Sequence, residues 1–245
     1  MVSLAPEPVF FVGNFGITNT LLHTLFVDAV VVGVALYVSK HIKQIPGKVQ
    51  NIAEIGITTF YDLTESVAQK NAAKIFPFFM AFFIFILFAN WSSLIPGVGS
   101  IGFFEGKKLI PVLRGTTSDI NTTLALALIS AVATHILSIK TIGVKDYLGR
   151  YFSFNPMNLF IGILEIISEI TKIISLSFRL FGNIFAGEVV LLTVSAIFAF
   201  LLPLPFMFLE IIVGFVQALV FSMLTMTFMA ILTTSHESAK EVSHQ

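Results

Sequence analysis

Residues 158–202 form an almost unbroken apolar run of 45 residues, and no other feature limits the fold as tightly. A continuous helix of that length measures roughly 67 Å at 1.5 Å per residue. The hydrocarbon core of a bilayer is about 30 Å thick. A helix that fits must tilt to about 25–30° from the membrane plane, against the ordinary tilt of about 20° from the normal, or it must break. Gly182 and Gly187 are the available bends, and glycine alone is a weak breaker. A helix lying so flat presents a long lateral face, suited to wrapping another membrane object.

The rest of the chain agrees with a membrane setting. Its residues are 56% hydrophobic and 11% charged, where a soluble domain carries about 25% charged residues. Segments 20–39, 75–95, 119–140 and 205–234 are each long and apolar enough to cross. Residues 48–74 differ: Val49, Ile52, Ile55, Phe60, Leu63 and Val67 recur at helical spacing, while Glu54, Asp62 and Glu65 interrupt them. That pattern predicts an amphipathic helix lying in the interface. No run alternates like a barrel strand. The expected fold is a single all-α integral membrane domain over 1–245. It has five membrane-inserted helices and one interfacial amphipathic helix, and the last two segments, 158–202 and 205–234, form a long, strongly tilted hairpin.

Basic residues set the orientation. Lys40, Lys43, Lys48, Lys70 and Lys74 lie between the first two spans, and Lys140, Lys145 and Arg150 follow the third. The 97–118 loop holds only Lys107, Lys108 and Arg114. The expectation is an external N-terminus (1–19), an external 97–118 loop and an internal tail (235–245). The first residues lack the basic start of a signal peptide, so the mature chain is expected to keep them.

Composition also excludes functions. Fourteen basic and fourteen acidic residues leave no net charge to attract nucleic acid. Cysteine is absent, which removes disulfides and thiolate chemistry. No glycine loop for phosphate and no histidine pair at metal-ligand spacing occurs, so no cofactor, no metal and no catalysis by the chain alone is expected.

Against this apolar background stand Arg179, Asn183 and Glu188. A guanidinium at the bilayer centre costs roughly 2.5 to 3.5 kcal/mol on insertion scales. At about 100° per residue, Ser175, Lys172, Ser168, Glu165 and Asn183 all fall within about 40° of Arg179, and Glu188 falls on the opposite face. In the last segment Glu210, Gly214 and Gln217 share a face. A turn at Pro203–Pro205 sets Gln217 near Glu188, with Glu210 nearer the outer mouth. His135 reads as a packing residue, and Asp119 and Asn121 read as helix caps. From these residues alone, a stand-alone transporter or channel binding an anion at Arg179, or a structural membrane anchor, also fits.

The stretch S-L-S-F-R-L-F-G-N-I-F-A-G-E at 175–188 resembles the signature helix of subunit a of F-type ATP synthases, the membrane stator of the rotary motor. I-P-G-K at 45–48, N-W-S-S-L-I-P at 90–96, S-D-I-N-T-T-L-A-L-A at 118–127 and Q-A-L-V-F at 217–221 match it as well. The resemblance implies that Arg179 faces a ring of proteolipid c-subunits. It implies that Glu188, Glu210, Asn183 and Gln217 belong to a half-channel open to the outside, and Glu165, Ser168 and Ser175 to the region of an inner half-channel. Some relatives carry histidine at one of the two positions held here by Glu188 and Glu210. The implied partners are the c-ring, subunit b of the peripheral stalk, the remainder of the synthase and membrane lipids. The implied location is a bacterial inner membrane, ahead of an organellar inner membrane or a thylakoid.

Overall fold

A computed structural model describes residues 6–13, 15–44, 46–95, 98, 101–105, 108–151, 156–197 and 202–234. The expected internal tail, 235–245, lies outside the described residues. Chain order is β1 (Pro8–Val12), β2 (Phe15–Thr18), α1 (Asn19–Lys40), α2 (Lys48–Ala68), α3 (Ala72–Ser93), β3 (Gly102–Glu105), β4 (Lys108–Pro111), α4 (Ile120–Ile142), α5 (Val144–Tyr151), α6 (Pro156–Ile197) and α7 (Pro203–Thr233). Single 3₁₀ turns at Gln69–Asn71 and Thr116–Ser118 precede α3 and α4. Among the described residues, five helical stretches are long and apolar enough to cross a membrane. The chain is an all-α integral membrane protein in its spans.

Local chemistry explains the boundaries. The Thr18 hydroxyl accepts from the Leu21 amide at 3.3 Å and starts α1, while Asp119 accepts from the Asn121 amide at 2.9 Å and starts α4. Gly143 ends α4 at φ 88°, a conformation that suits glycine. Pro203 and Pro205 both sit in the first turn of α7, where a missing amide hydrogen removes no intrahelical bond.

Three features depart from the sequence reading. β1–β2 and β3–β4 form two short antiparallel hairpins, joined at one end of the bundle where Asn19 Nδ2 donates to the Pro111 carbonyl at 3.4 Å. Neither crosses anything; at four or five residues per strand they are far shorter than the 9–11 that a membrane strand needs. The second departure is α5, whose polar sequence gave no apolar periodicity long enough to register. It packs back on α6, where Gly162 leaves room for the backbone carbonyl of Tyr151. The third is the end of the 97–118 loop. Arg114, Thr116, Thr117 and Ser118 are buried rather than solvated.

α3, α4, α6 and α7 enclose a core of Phe82, Phe83, Ile86, Leu126, Leu180, Ile184 and Phe221. A second cluster, with Ile75, Phe79, Leu137, Met226 and Met229, closes the end near α2. Phe60 of α2 bridges the two, its ring 4.8 Å from Phe83 and 5.5 Å from Phe79. Large apolar side chains still face outward along α6, among them Ile163, Ile167, Ile170, Ile174 and Phe178. In water such a face is an aggregation liability, so lipid or a partner must cover it.

Candidate functional site

The polar stripe of α6 opens onto a groove. Ser168, Thr171, Lys172, Ser175 and Arg179 line it from α6, with Leu224 and Phe228 opposite on α7, around a volume of about 390 Å³. Glu165, expected on the same stripe, does not line it and lies half-buried one turn beyond. Arg179 is exposed, and its Nη2 reaches only the Ser175 hydroxyl, at 3.5 Å. Among the described residues, that hydroxyl is its one side-chain partner, and no carboxylate of the chain pairs with it. Lys172 contrasts with it. Its ammonium donates to Glu169 Oε1 at 2.8 Å and lies 4.8 Å above the Phe228 ring.

Beyond Arg179 the two long helices meet through polar side chains. Asn183 Nδ2 donates to Gln217 Oε1 at 2.7 Å. The carboxylate of Glu210, 6% exposed, occupies the space that a side chain at Gly187 would fill. These pairings correct the register read from the sequence. Gln217 does not sit beside Glu188, and Glu210 lies level with Gly187 rather than further out. Together with Lys172 over Phe228, the contacts fix the antiparallel register of α6 against α7, with both prolines inside the first turn of α7. Glu188 itself is half-buried on α6.

A third group of polar side chains was missed by sequence reasoning. Asn90 Nδ2 donates to the Gly214 carbonyl at 3.0 Å, and Asn90 Oδ1 accepts from the Thr117 hydroxyl at 2.7 Å. Trp91 Nε1 donates to the Ile211 carbonyl at 3.1 Å. The Thr116 hydroxyl bonds His23 Nδ1 at 3.1 Å, and Arg114 Nη2 donates to the Ser118 carbonyl at 3.5 Å. The Thr123 and Ser177 hydroxyls pair at 3.2 Å. Backbone without regular structure survives inside a bundle only where such groups satisfy it. The one sequence signal was the crowding of Arg114, Thr116, Thr117 and Ser118 just ahead of a span. The site therefore has two polar regions, the groove at the α2–α5 end and this network toward the hairpin end. Arg179 and Asn183 stand between them.

Residues 21–230 match the family described as ATP synthase A chain. The chain belongs to the ATP synthase subunit a family. It is 36% identical over 231 residues to ATP synthase subunit a of Syntrophobacter fumaroxidans, covering 93% of this chain and 89% of that one. Against ATP synthase subunit a of Moorella thermoacetica the identity is 30% over 236 residues, with 96% and 100% covered. For the Geotalea daltonii protein of the same name it is 35% over 216 residues, with 87% and 86% covered. The family match runs from α1 into α7, so this subunit a carries both polar regions within it. As subunit a it is a membrane component of an ATP synthase.

Proposed function

We propose that this subunit a provides two offset half-channels that carry protons to and from carboxylates on a ring of proteolipid c-subunits, so that ion flow drives rotation and ATP synthesis. The observation that carries the reading is the charge of Arg179, set in the groove with no acid among the described residues to pair it. Placing a guanidinium in the bilayer costs roughly 2.5 to 3.5 kcal/mol. A carboxylate about 4 Å away returns about 4 kcal/mol at the effective dielectric of a protein surface. A ring carboxylate that comes and goes therefore offsets the cost while present.

Arginine keeps its proton throughout the physiological pH range, where lysine gives its own up more readily. The fixed charge favours the ionised form of the ring carboxylate, promoting release of its proton toward the inner side. It also repels a free proton, which keeps the half-channels from joining. Glu188, Glu210, Asn183 and Gln217 form the outer path, and Ser168 and Ser175, with Glu165 beyond, border the inner one. The membrane potential contributes about 2.3 kcal/mol per charge per 100 mV. Because the paths are offset, each proton rides the ring almost once around. The subunit itself is non-catalytic and works beside the c-ring and subunit b. It lies multi-pass in a bacterial inner membrane, with the N-terminus outside and the C-terminus in the cytoplasm.

The test is Arg179→Ala in the assembled complex. ATP-linked proton transport is expected to vanish while assembly persists. Normal coupled synthesis in that variant overturns the proposal.

A further inference from the structure

Beside the groove, four ionisable side chains from three helices stand in line. Lys172 lines the groove and donates to Glu169 Oε1 at 2.8 Å. The other carboxylate oxygen, Glu169 Oε2, lies 3.9 Å from His135 Nε2 on α4. His135 Nδ1 in turn bonds the Tyr147 hydroxyl of α5 at 2.9 Å. The Glu169 carboxylate, 14% exposed, thus bridges a cation in the groove and an imidazole, 29% exposed, at the bundle surface.

The surroundings decide which members can move a proton. Lys172 is held by the Glu169 carboxylate and by the Phe228 ring, which makes it an anchor. Burial, with Tyr147 and the carboxylates of Glu169 and Glu165 nearby, pushes the Tyr151 hydroxyl up, so it stays a neutral phenol. Tyr147 ties α5 to α4 through its hydroxyl. That leaves Glu169 and His135 as the exchanging pair, faced by Lys172 and Glu165 on α6, by Tyr147 and Tyr151 on α5, and by the uncharged Phe228 of α7. At 3.9 Å the pair is too far apart for a direct hydrogen bond and close enough for one carried by a small reorientation.

We infer that Glu169 and His135 form a proton-transfer pair at the side of the groove, passing protons between groove water and the solution on the α2–α5 face. In the synthesis direction the proton leaving the ring reaches the groove as hydronium. An O–H bond of that hydronium breaks as Glu169 takes the proton and water is left. The carboxyl O–H bond breaks as an N–H bond forms on His135 Nε2. That N–H bond breaks as water of the solution takes the proton, so both side chains end as they began. Pumping runs the same steps backward. Imidazole suits the outer end because it is the side chain that changes charge between about pH 5 and 8. The inference rests on reading the groove as the inner half-channel.

The test uses the assembled synthase in inverted vesicles, whose outer medium bathes this face. The initial rate of ATP-driven pumping per assembled complex is measured for His135→Gln and Glu169→Gln as a ratio to the unaltered complex, from pH 6 to pH 9. Positioned proton transfer typically contributes on the order of 10²–10⁴-fold, and groove water replaces part of it, so a deficit of about tenfold is expected at the alkaline end. The deficit shrinks toward pH 6, and the double variant is no worse than either single one. Glutamine can still accept from Tyr147, so a packing role predicts a ratio that is flat with pH. A flat ratio for both variants overturns the inference, and where one variant does not assemble the other decides. Tyr147→Phe removes only the tie to α5. If it produces the same pH-dependent deficit, the cluster acts by holding α5 and the inference also fails. Arg179→Ala separates the two levels. If it keeps coupled pumping, the reading of the groove falls; if it abolishes coupling while the ratios stay flat, only the proton-transfer pair falls.

Discussion

Gly187→Ala isolates the contact on which the outer path turns. The position of an added Cβ coincides with the Glu210 carboxylate, the far end of a flexible side chain. The backbone has no reason to move, since the carboxylate can rotate away. Its new position is displaced by about the width of an atom. Forcing an extra methyl into a packed site costs typically 1–3 kcal/mol, which is about 5- to 150-fold in any equilibrium that needs Glu210 in its original place. Proton transport is therefore expected to fall within that range, with the complex still assembled at normal yield. The assay is ATP-driven pumping in vesicles beside the amount of assembled complex. A second substitution sharpens it: Glu210→Asp shortens the side chain by one methylene, about 1.5 Å, and restores part of the rate in the Gly187→Ala background. Normal transport in Gly187→Ala, or a double variant worse than both singles, refutes the reasoning.

Glu188→Gln is expected to slow proton uptake from outside without blocking assembly, and an unchanged flux removes Glu188 from the path. Asn90→Leu leaves the Gly214 carbonyl and the Thr117 hydroxyl without their partner. At about 1–3 kcal/mol for a buried unsatisfied group, it should lower the thermal stability of the assembled complex, measured by unfolding in detergent. Gly162→Val places side-chain atoms where the Tyr151 carbonyl lies; it is expected to lift α5 from α6, raising proteolysis after Lys145 and within 147–151. Equal protection in both proteins removes the close approach as a constraint.

What the sequence made legible was whatever one helix decides by itself. Ser168, Lys172, Ser175 and Arg179 share a face because helical spacing fixes their angles, and the groove contains all four. What it hid depends on two segments at once. Gln217 pairs with Asn183 with Pro203 and Pro205 inside α7, and a proline pair reads equally well as a turn or as the first turn of a helix. Arg114 and the three hydroxyl residues after it look like any polar loop until the bundle closes over them. His135 looked like packing because Glu169, 34 positions later, is the residue it meets. The spacing of each residue on its own helix carried no sign of that meeting.

The central claim is that the charge of Arg179 is answered by a carboxylate from outside this chain. A density map of the assembled synthase tests it most directly, by the distance from the guanidinium to the nearest acid. The account predicts a ring carboxylate able to reach within roughly 4 Å, with every acid of subunit a farther away. Arg179 paired to Glu165, Glu188 or Glu210, or pointing into lipid with no ring carboxylate near, contradicts it.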